Sequence, residues 1–326
     1  MYARLRSLTF TVMAAVCLLA SIAQAQNFPT KPLKLVVPYA PGGVTDQLAR
    51  AVAERLGQAL GQSVVVENKP GANTIIGAEA VARATPDGYT LFMGSSASLA
   101  VNALLYQKLP YDPKRDFAGV TLLAQTSLVM EVPSSVPANT VKEFVDLAKA
   151  KPGSMNFASV GNGNPLHLAG ELFNSMAGVQ IVHVPYNGSA PALTALLGGQ
   201  VQLMYDAILT SQPHIKAGKL RALATTGAKR ISILPDVPTI AESGYPGYEA
   251  GIWFALVVPN ATPAAIVQRL NAEATKILRQ PEMKARFDGL ALELIPSTPE
   301  EVLQFADREQ ARWARLIREK NIRLER

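Results

Sequence analysis

Apolar and polar positions along this chain follow two periods in turn. Short runs rich in β-branched and aromatic residues read as strands at Leu33–Val37, Ser63–Glu67, Tyr89–Met93, Val120–Val132, Asn156–Ala158, Gln180–Val184, Val201–Tyr205, Leu220–Thr225 and Ile252–Val258. Between them, apolar residues recur at helical spacing. In Thr45–Leu60 the residues Leu48, Ala51, Val52, Leu56 and Leu60 fall on one face, and Val141–Ala150, Pro165–Ala177, Pro263–Arg279 and Pro299–Lys320 behave alike. Pro263 suits a first helical turn. The last helix brings Val302, Phe305, Trp313 and Leu316 near a common stripe, the pattern of a helix packed on its own domain. Strands alternating with amphipathic helices predict the α/β class, with mostly parallel sheets covered by helices.

Three junctions in this pattern carry candidate chemistry. Leu35 to Asp46, LVVPYAPGGVTD, runs from an apolar strand through Pro38 and Tyr39 into paired glycines that open a helix. Glycine lets backbone approach a ligand, and the first amides of a helix lack internal partners and sit at its positive dipole end, so the junction suits a small anion. A turn that uses glycine only for tightness is the alternative. Gln180 to Pro191, QIVHVPYNGSAP, repeats the layout through Pro185, Tyr186 and Gly188. Ala158 to Leu168, ASVGNGNPLHL, sets Ser159, Gly161, Asn162, Gly163 and Asn164 before a helix opened by Pro165. All three lie where α/β sheets collect ligands, at the carboxyl ends of strands. Two lobes presenting such loops to each other form a clamp.

The N-terminus sets the compartment. Arg4 and Arg6 precede an apolar run from Leu8 to Ile22, and Ala23-Gln24-Ala25 completes the pattern of a signal-peptidase site, so residues 1–25 read as a signal peptide cleaved after Ala25. Export to the periplasm follows as the expectation. No later run approaches the roughly 20 apolar residues of a membrane span. The single cysteine, Cys17, lies within that signal, which leaves the mature chain without disulfides, cysteine nucleophiles or thiolate metal sites. Loss of Arg4 and Arg6 lowers the formal charge from +6 to +4, and the remaining basic residues are scattered. Mild positive charge helps to attract anions. No basic stripe interleaved with aromatics points to nucleic acid.

Motifs along the whole mature chain strengthen the binding reading. They are PTKPLKLVVPYAPGGVTD at Pro29–Asp46, VENKPGAN at Val66–Asn73, ATPDGYTL at Ala84–Leu91, LPYDPKRDF at Leu109–Phe117 and GNGNPLHLAGELF at Gly161–Phe173. They continue as VPYNGSAPAL at Val184–Leu193, HIKAGKLRALA at His214–Ala224 and LPDVPTIAESG at Leu234–Gly244. In this order the chain resembles the periplasmic solute receptors of the tripartite tricarboxylate transporter family, the Bug receptors. The resemblance implies a type II periplasmic-binding-protein fold, two α/β lobes joined by crossing strands, with lobe 1 at 26–125 plus 251–326 and lobe 2 at 126–250. It implies capture of a small carboxylate by lobe closure, a monomeric receptor, and delivery to the large and small membrane subunits of a tripartite transporter. A receptor that reports to a membrane sensor is the alternative output.

By the same resemblance the ligand-binding residues map to Tyr39, Ala40, Gly42, Gly43, Val44, Thr45 and Asp46 in lobe 1, with Ser95 and Ser96 as hydroxyl donors. In lobe 2 they map to Ser159, Gly161, Asn162, Gly163 and Asn164, to Tyr186, Asn187, Gly188 and Ser189, and to Asp206. Asn187 stands where relatives often carry Lys or Arg. A carboxylate held only by neutral donors fits a mono- or dicarboxylate better than citrate, since each charge-assisted hydrogen bond contributes roughly 1.5–3 kcal/mol. Tyr39 and Tyr186 either wall the cleft or offer a hydroxyl. Asp46 either caps its helix and orders the glycine loop or touches the ligand, and Asp206 either is structural or orients a water or an ammonium. His167, His183 and His214 are scattered, and neither metal nor cofactor is expected. The enzyme alternative, an exported hydrolase, finds no G-x-S-x-G elbow, no S-x-x-K in the mature chain and no H-E-x-x-H, and the glycine loops lack the dinucleotide spacing.

Overall fold

A computed structural model describes residues 28–186, 188–320 and 322. The proposed signal segment with Arg4, Arg6 and Cys17, and the site residue Asn187, lie outside the described residues. The elements in chain order begin β1 (Leu33–Val37), α1 (Val44–Leu60), β2 (Val64–Asn68), α2 (Ile75–Ala82), β3 (Thr90–Ser95), a π-helical turn (Ala97–Val101), α3 (Asn102–Leu105) and β4 (Phe117–Ser127). Then follow β5 (Val129–Pro133), α4 (Val141–Ala150), β6 (Met155–Ser159), α5 (Pro165–Ala177), β7 (Ile181–Pro185), α6 (Ser189–Leu197), β8 (Leu203–Asp206), α7 (Ile208–Lys216) and β9 (Leu220–Thr225). The chain ends with β10 (Gly251–Pro259), α8 (Ala264–Leu278), α9 (Pro281–Asp288), β11 (Glu293–Leu294) and α10 (Pro299–Glu319).

These strands form two sheets. The first has six strands in the order β11-β4-β10-β3-β1-β2, and the second has five in the order β7-β6-β8-β5-β9. β1 pairs in parallel with β2 and β3, and β6 pairs in parallel with β7 and β8, while β4, β5, β9, β10 and β11 pair antiparallel. Both sheets are therefore mixed rather than mostly parallel as the strand–helix alternation suggested: the strands that cross between the lobes enter each sheet antiparallel. Leu35, Val36 and Val37 are all buried because helices cover both faces of the first sheet. Leu48, Val52 and Leu56 of α1 pack with Leu270 and Ile277 of α8 on one face. Ile75 and Val81 of α2 and Val302 of α10 meet Phe92 and Phe117 on the other.

The expected single strand Val120–Val132 is two strands. Leu128 separates β4 in the first sheet from β5 in the second, so the chain changes sheet at one residue. The return passes from β9 through residues 226–250 into β10. Thr226 ties the two crossings together. Its amide donates to Leu128 O at 2.9 Å and its carbonyl accepts from Ala250 N at 2.9 Å. Its hydroxyl accepts from Leu128 N and donates to Ala250 O, both at 2.7 Å.

Two further expectations are corrected. Pro263 is the cap residue before α8 rather than a residue of its first turn. Helix α10 does not pack on one domain alone: Val302 and Ala306 join the core of the first sheet, whereas Trp313, Leu316 and Ile317 join the cluster that fills the second lobe. That cluster also takes in Val101 and Leu105, so the core of the second sheet extends to helical elements that follow β3 of the first. Among the described residues no helix is long and apolar enough to cross a membrane.

Candidate functional site

In the first lobe, the β1–α1 junction is built around Asp46. Helix α1 begins at Val44, earlier than the sequence suggested, with Gly43 as its cap residue and no side chain capping it. Asp46 therefore sits in the first turn and reaches back, accepting from Gly42 N at 3.0 Å. It also accepts from Arg50 Nε at 2.8 Å and from Asn68 Nδ2 at 3.0 Å, and the same Asn68 amide donates to Tyr39 O at 3.0 Å. Burial by itself would raise the Asp46 carboxyl, but Arg50, the Gly42 amide and Asn68 outweigh it and hold the group at about 2. Asp46 thus orders the glycine loop, with its charge answered by Arg50. Arg50 and Asn68 were missed from sequence; the ENKPGAN motif that contains Asn68 was the available signal.

The tip of this loop is open. Ala40 to Gly43 are exposed, and a side-chain carbon built on Gly42 or Gly43 would meet nothing within 4 Å. Gly42 needs to be glycine because its φ is +90°, whereas Gly43 at φ −72° does not. Beside the loop, Tyr39 OH donates to Ser95 Oγ at 2.8 Å, and burial pushes the phenol to about 12 against the pull of that bond. Ser95 is fully buried, and the buried Ser96 hydroxyl has no partner. Since β1 and β3 are neighbours, Tyr39, Ser95 and the glycine loop meet at one end of the first sheet.

In the second lobe, the ends of β6, β7 and β8 come together. Tyr186 N donates to Ser159 O at 2.9 Å, and Ser189 Oγ donates to Asp206 Oδ1 at 3.3 Å. Asp206 further accepts from Ala207 N at 2.8 Å and from the Thr210 hydroxyl at 2.5 Å. Helix α6 is capped by Gly188 at φ +110° with no side-chain cap, which leaves its first amides without a side-chain partner. In contrast, Asn164 caps α5, its side chain accepting from Leu166 N at 3.0 Å.

Several residues expected to present donors instead support the loops. Gly42 N is bonded to Asp46, Gly161 N donates to Ser159 Oγ at 3.2 Å, and Gly163 N donates to His167 Nδ1 at 2.9 Å. Ser159 is fully buried, and its hydroxyl lies 2.6 Å from His183 Nε2. The rings of His167 and His183 stack at 3.8 Å between centroids, so two histidines that are scattered in sequence form one support beneath the Ser159–Asn164 loop. A cavity of about 350 Å³ lies elsewhere, at the crossing between the sheets, lined by Ser127, Arg230, Trp253 and Arg312 among others, and it takes in none of these loops.

With this geometry, the family model for the tripartite tricarboxylate transporter family receptor matches residues 48–322. The chain belongs to that family. A solved structure of Rpa4515 from R. palustris with adipate is 37% identical, with a TM-score of 0.82, covering 89% of this chain and 97% of that one. The periplasmic binding protein BugD is 34% identical, with a TM-score of 0.80, over 92% and 100% of the two chains. MatC from Rhodopseudomonas palustris with bound malate is 34% identical, with a TM-score of 0.78, over 89% and 100%. The receptor's fold is therefore the two-lobe α/β periplasmic-binding-protein fold. It belongs with solute-binding receptors of tripartite transporters, not with hydrolases.

Proposed function

We propose that this receptor is exported, cleaved after Ala25, and captures a small carboxylate between its lobes in the periplasm for delivery to the large and small membrane subunits of a tripartite transporter. The lobes are read as 26–125 plus 251–326 and 126–250, and the receptor acts as a monomer. One observation carries the reading: α1 and α6 each begin at a glycine without a side-chain cap, one at the end of the first sheet and one at the end of the second. Two such ends offer amides and positive dipole ends to the two sides of one anion. The adipate and malate held by Rpa4515 and MatC support a carboxylate.

Ala40, Gly43 and Val44 in the first lobe are the contacts most open to a ligand, with Asn162, Tyr186, Gly188 and Ser189 in the second, while Thr45 and Ser96 are buried candidates. Asp46, Ser159, Gly161, Gly163 and Asn164 serve as the frame that holds them. Arg50 is committed to Asp46 and leaves no described cation in these loops, which favours a mono- or dicarboxylate over citrate. The test is a melting-temperature screen of the mature protein with adipate, malate, benzoate, glutamate and citrate. A binding carboxylate at 100 times its Kd adds about 2.7 kcal/mol. No shift with any anion, alongside a shift with a neutral sugar, would sink the reading.

A further inference from the structure

Glu131 lies within β5, fully buried, and neither of its carboxyl oxygens has a hydrogen-bond partner. Against the neighbouring strand β8, Val129 of β5 pairs with Asp206 and Glu131 with Met204. Residues two apart on a strand share a face, so Glu131 and Asp206 are diagonal neighbours on one face of the second sheet, with Cα atoms roughly 7–8 Å apart. Ser211 of α7 faces Glu131, also fully buried and with its hydroxyl unpaired. Two carboxyls thus share one dry face, and their surroundings differ. Asp206 has three donors, from Ala207, Thr210 and Ser189, whereas Glu131 has no backbone donor and only the neighbouring Ser211 hydroxyl to stabilise its charge.

Donors stabilise the charged form of a carboxyl, and burial without donors favours the neutral one. Among the described residues no cation pairs with either carboxyl. Helix α6 carries no charged residue, His214 and Lys216 lie in the last turn of α7, and Arg221 of β9 gives its guanidinium to the carbonyls of Val136 and Ala138. We infer that Glu131 is a positioning residue for the cleft end of the second lobe: it keeps its proton while Asp206 carries the pair's one negative charge, and this division preserves the Ser189–Asp206–Thr210 network that joins α6 to the β8–α7 turn. Burial, and then the Asp206 charge, push the Glu131 carboxyl well above its ordinary range against the pull of the Ser211 hydroxyl. Burial raises Asp206 as well, against the pull of Thr210, Ala207 and Ser189.

The sign of the pH effect follows. A carboxyl whose folded pKa is raised gives stability that is fully present below its unfolded pKa of about 4.3 and is lost as pH rises toward the folded value, by about tenfold in the unfolding equilibrium constant per pH unit. Glu131→Gln mimics the protonated acid and removes this loss. The experiment is denaturant unfolding of the ligand-free mature protein from pH 5 to 8, with amide protection factors in α6 from Ala192 onward. Relative to wild type, E131Q should gain stability as pH rises from 5, by up to about tenfold per pH unit, and only the wild type should lose α6 protection as pH rises. A constant difference between the proteins, or equal loss of protection, overturns the inference.

If E131Q does not fold, the infrared band of a protonated carboxyl decides. It should be present in the wild type at pH 7, and its titration should move to lower pH in D206N; absence of the band, or a titration unmoved in D206N, overturns the inference. Because no ligand is used, these outcomes stand apart from those of the carboxylate screen.

Discussion

Gly163 donates its amide to His167 Nδ1 at 2.9 Å, which fixes the ring's tautomer with the proton on Nε2 and closes the glycine loop over the start of α5. His183 stacks on that ring from β7 and meets the Ser159 hydroxyl at the loop's other end. The loop is therefore held by two neutral imidazoles.

Acid should undo it. Burial lowers His167 to about 4, and burial together with the neighbouring His167 lowers His183 to about 3. Groups with depressed folded pKa values give stability that is full above the unfolded value of about 6.5 and is lost as pH falls through the folded ones. The melting temperature of ligand-free Glu131→Gln, which lacks the opposing Glu131 contribution, should therefore decline from pH 6.5 to 4, and in the wild type the Ser159–Asn164 amides should lose exchange protection before the first lobe does. A loop that keeps full protection at pH 4 would contradict the neutral-pair account.

The two glycines of the first loop should separate folding from binding. Gly42→Ala must hold a φ of +90°, a strain of about 1–3 kcal/mol, and should lower the melting temperature. Gly43→Val meets nothing within 4 Å and has an ordinary φ, so it should fold normally and place its side chain before the uncapped end of α1. Calorimetric titration with the carboxylate found by screening should show weakened binding at Gly43→Val with an unchanged melting curve. Unchanged affinity would reduce this junction to a connector.

How much of this was legible in the sequence varied with range. The glycine junctions were visible because turn chemistry is local: Pro38, Gly42 and Asp46, or Asn164 and Pro165, announce a helix start within a few residues. The crossing at Leu128 was not, since the polar run Gln125-Thr126-Ser127 sits inside a β-rich stretch and reads equally as exposed strand positions, and a one-residue change of sheet leaves no mark on periodicity. Partners brought in by strand pairing were equally hidden. Asn68 reaches Asp46 only because β2 lies beside β1, and His183 reaches His167 only because β7 lies beside β6.

Ser96 gives a sharper test of the site. Its buried hydroxyl has no partner, and such a group costs about 1–3 kcal/mol. Ser96→Ala should leave the ligand-free protein as stable or more stable by thermal melting, while binding of the screened carboxylate weakens. Lower stability with unchanged affinity would assign the hydroxyl to packing instead.

The proposed closure should depend on the crossing at Leu128 and Thr226. The uncapped ends of α1 and α6 belong to different sheets, so on the proposed clamp a ligand would meet both sets of amides only when the lobes approach, and its extra affinity for that state would drive the shift. Labels at exposed Glu54 on α1 and exposed Ala190 on α6 should therefore report a shorter separation when the carboxylate is added. Thr226→Val keeps the shape of the side chain but leaves Leu128 N without its hydroxyl acceptor, at a cost of about 1–3 kcal/mol in the middle of the crossing. That variant should lower the melting temperature and broaden the distance distribution of the ligand-free state, while saturating ligand restores the narrow, short distance. Tight binding with no change in separation would place the ligand within one lobe and defeat the clamp.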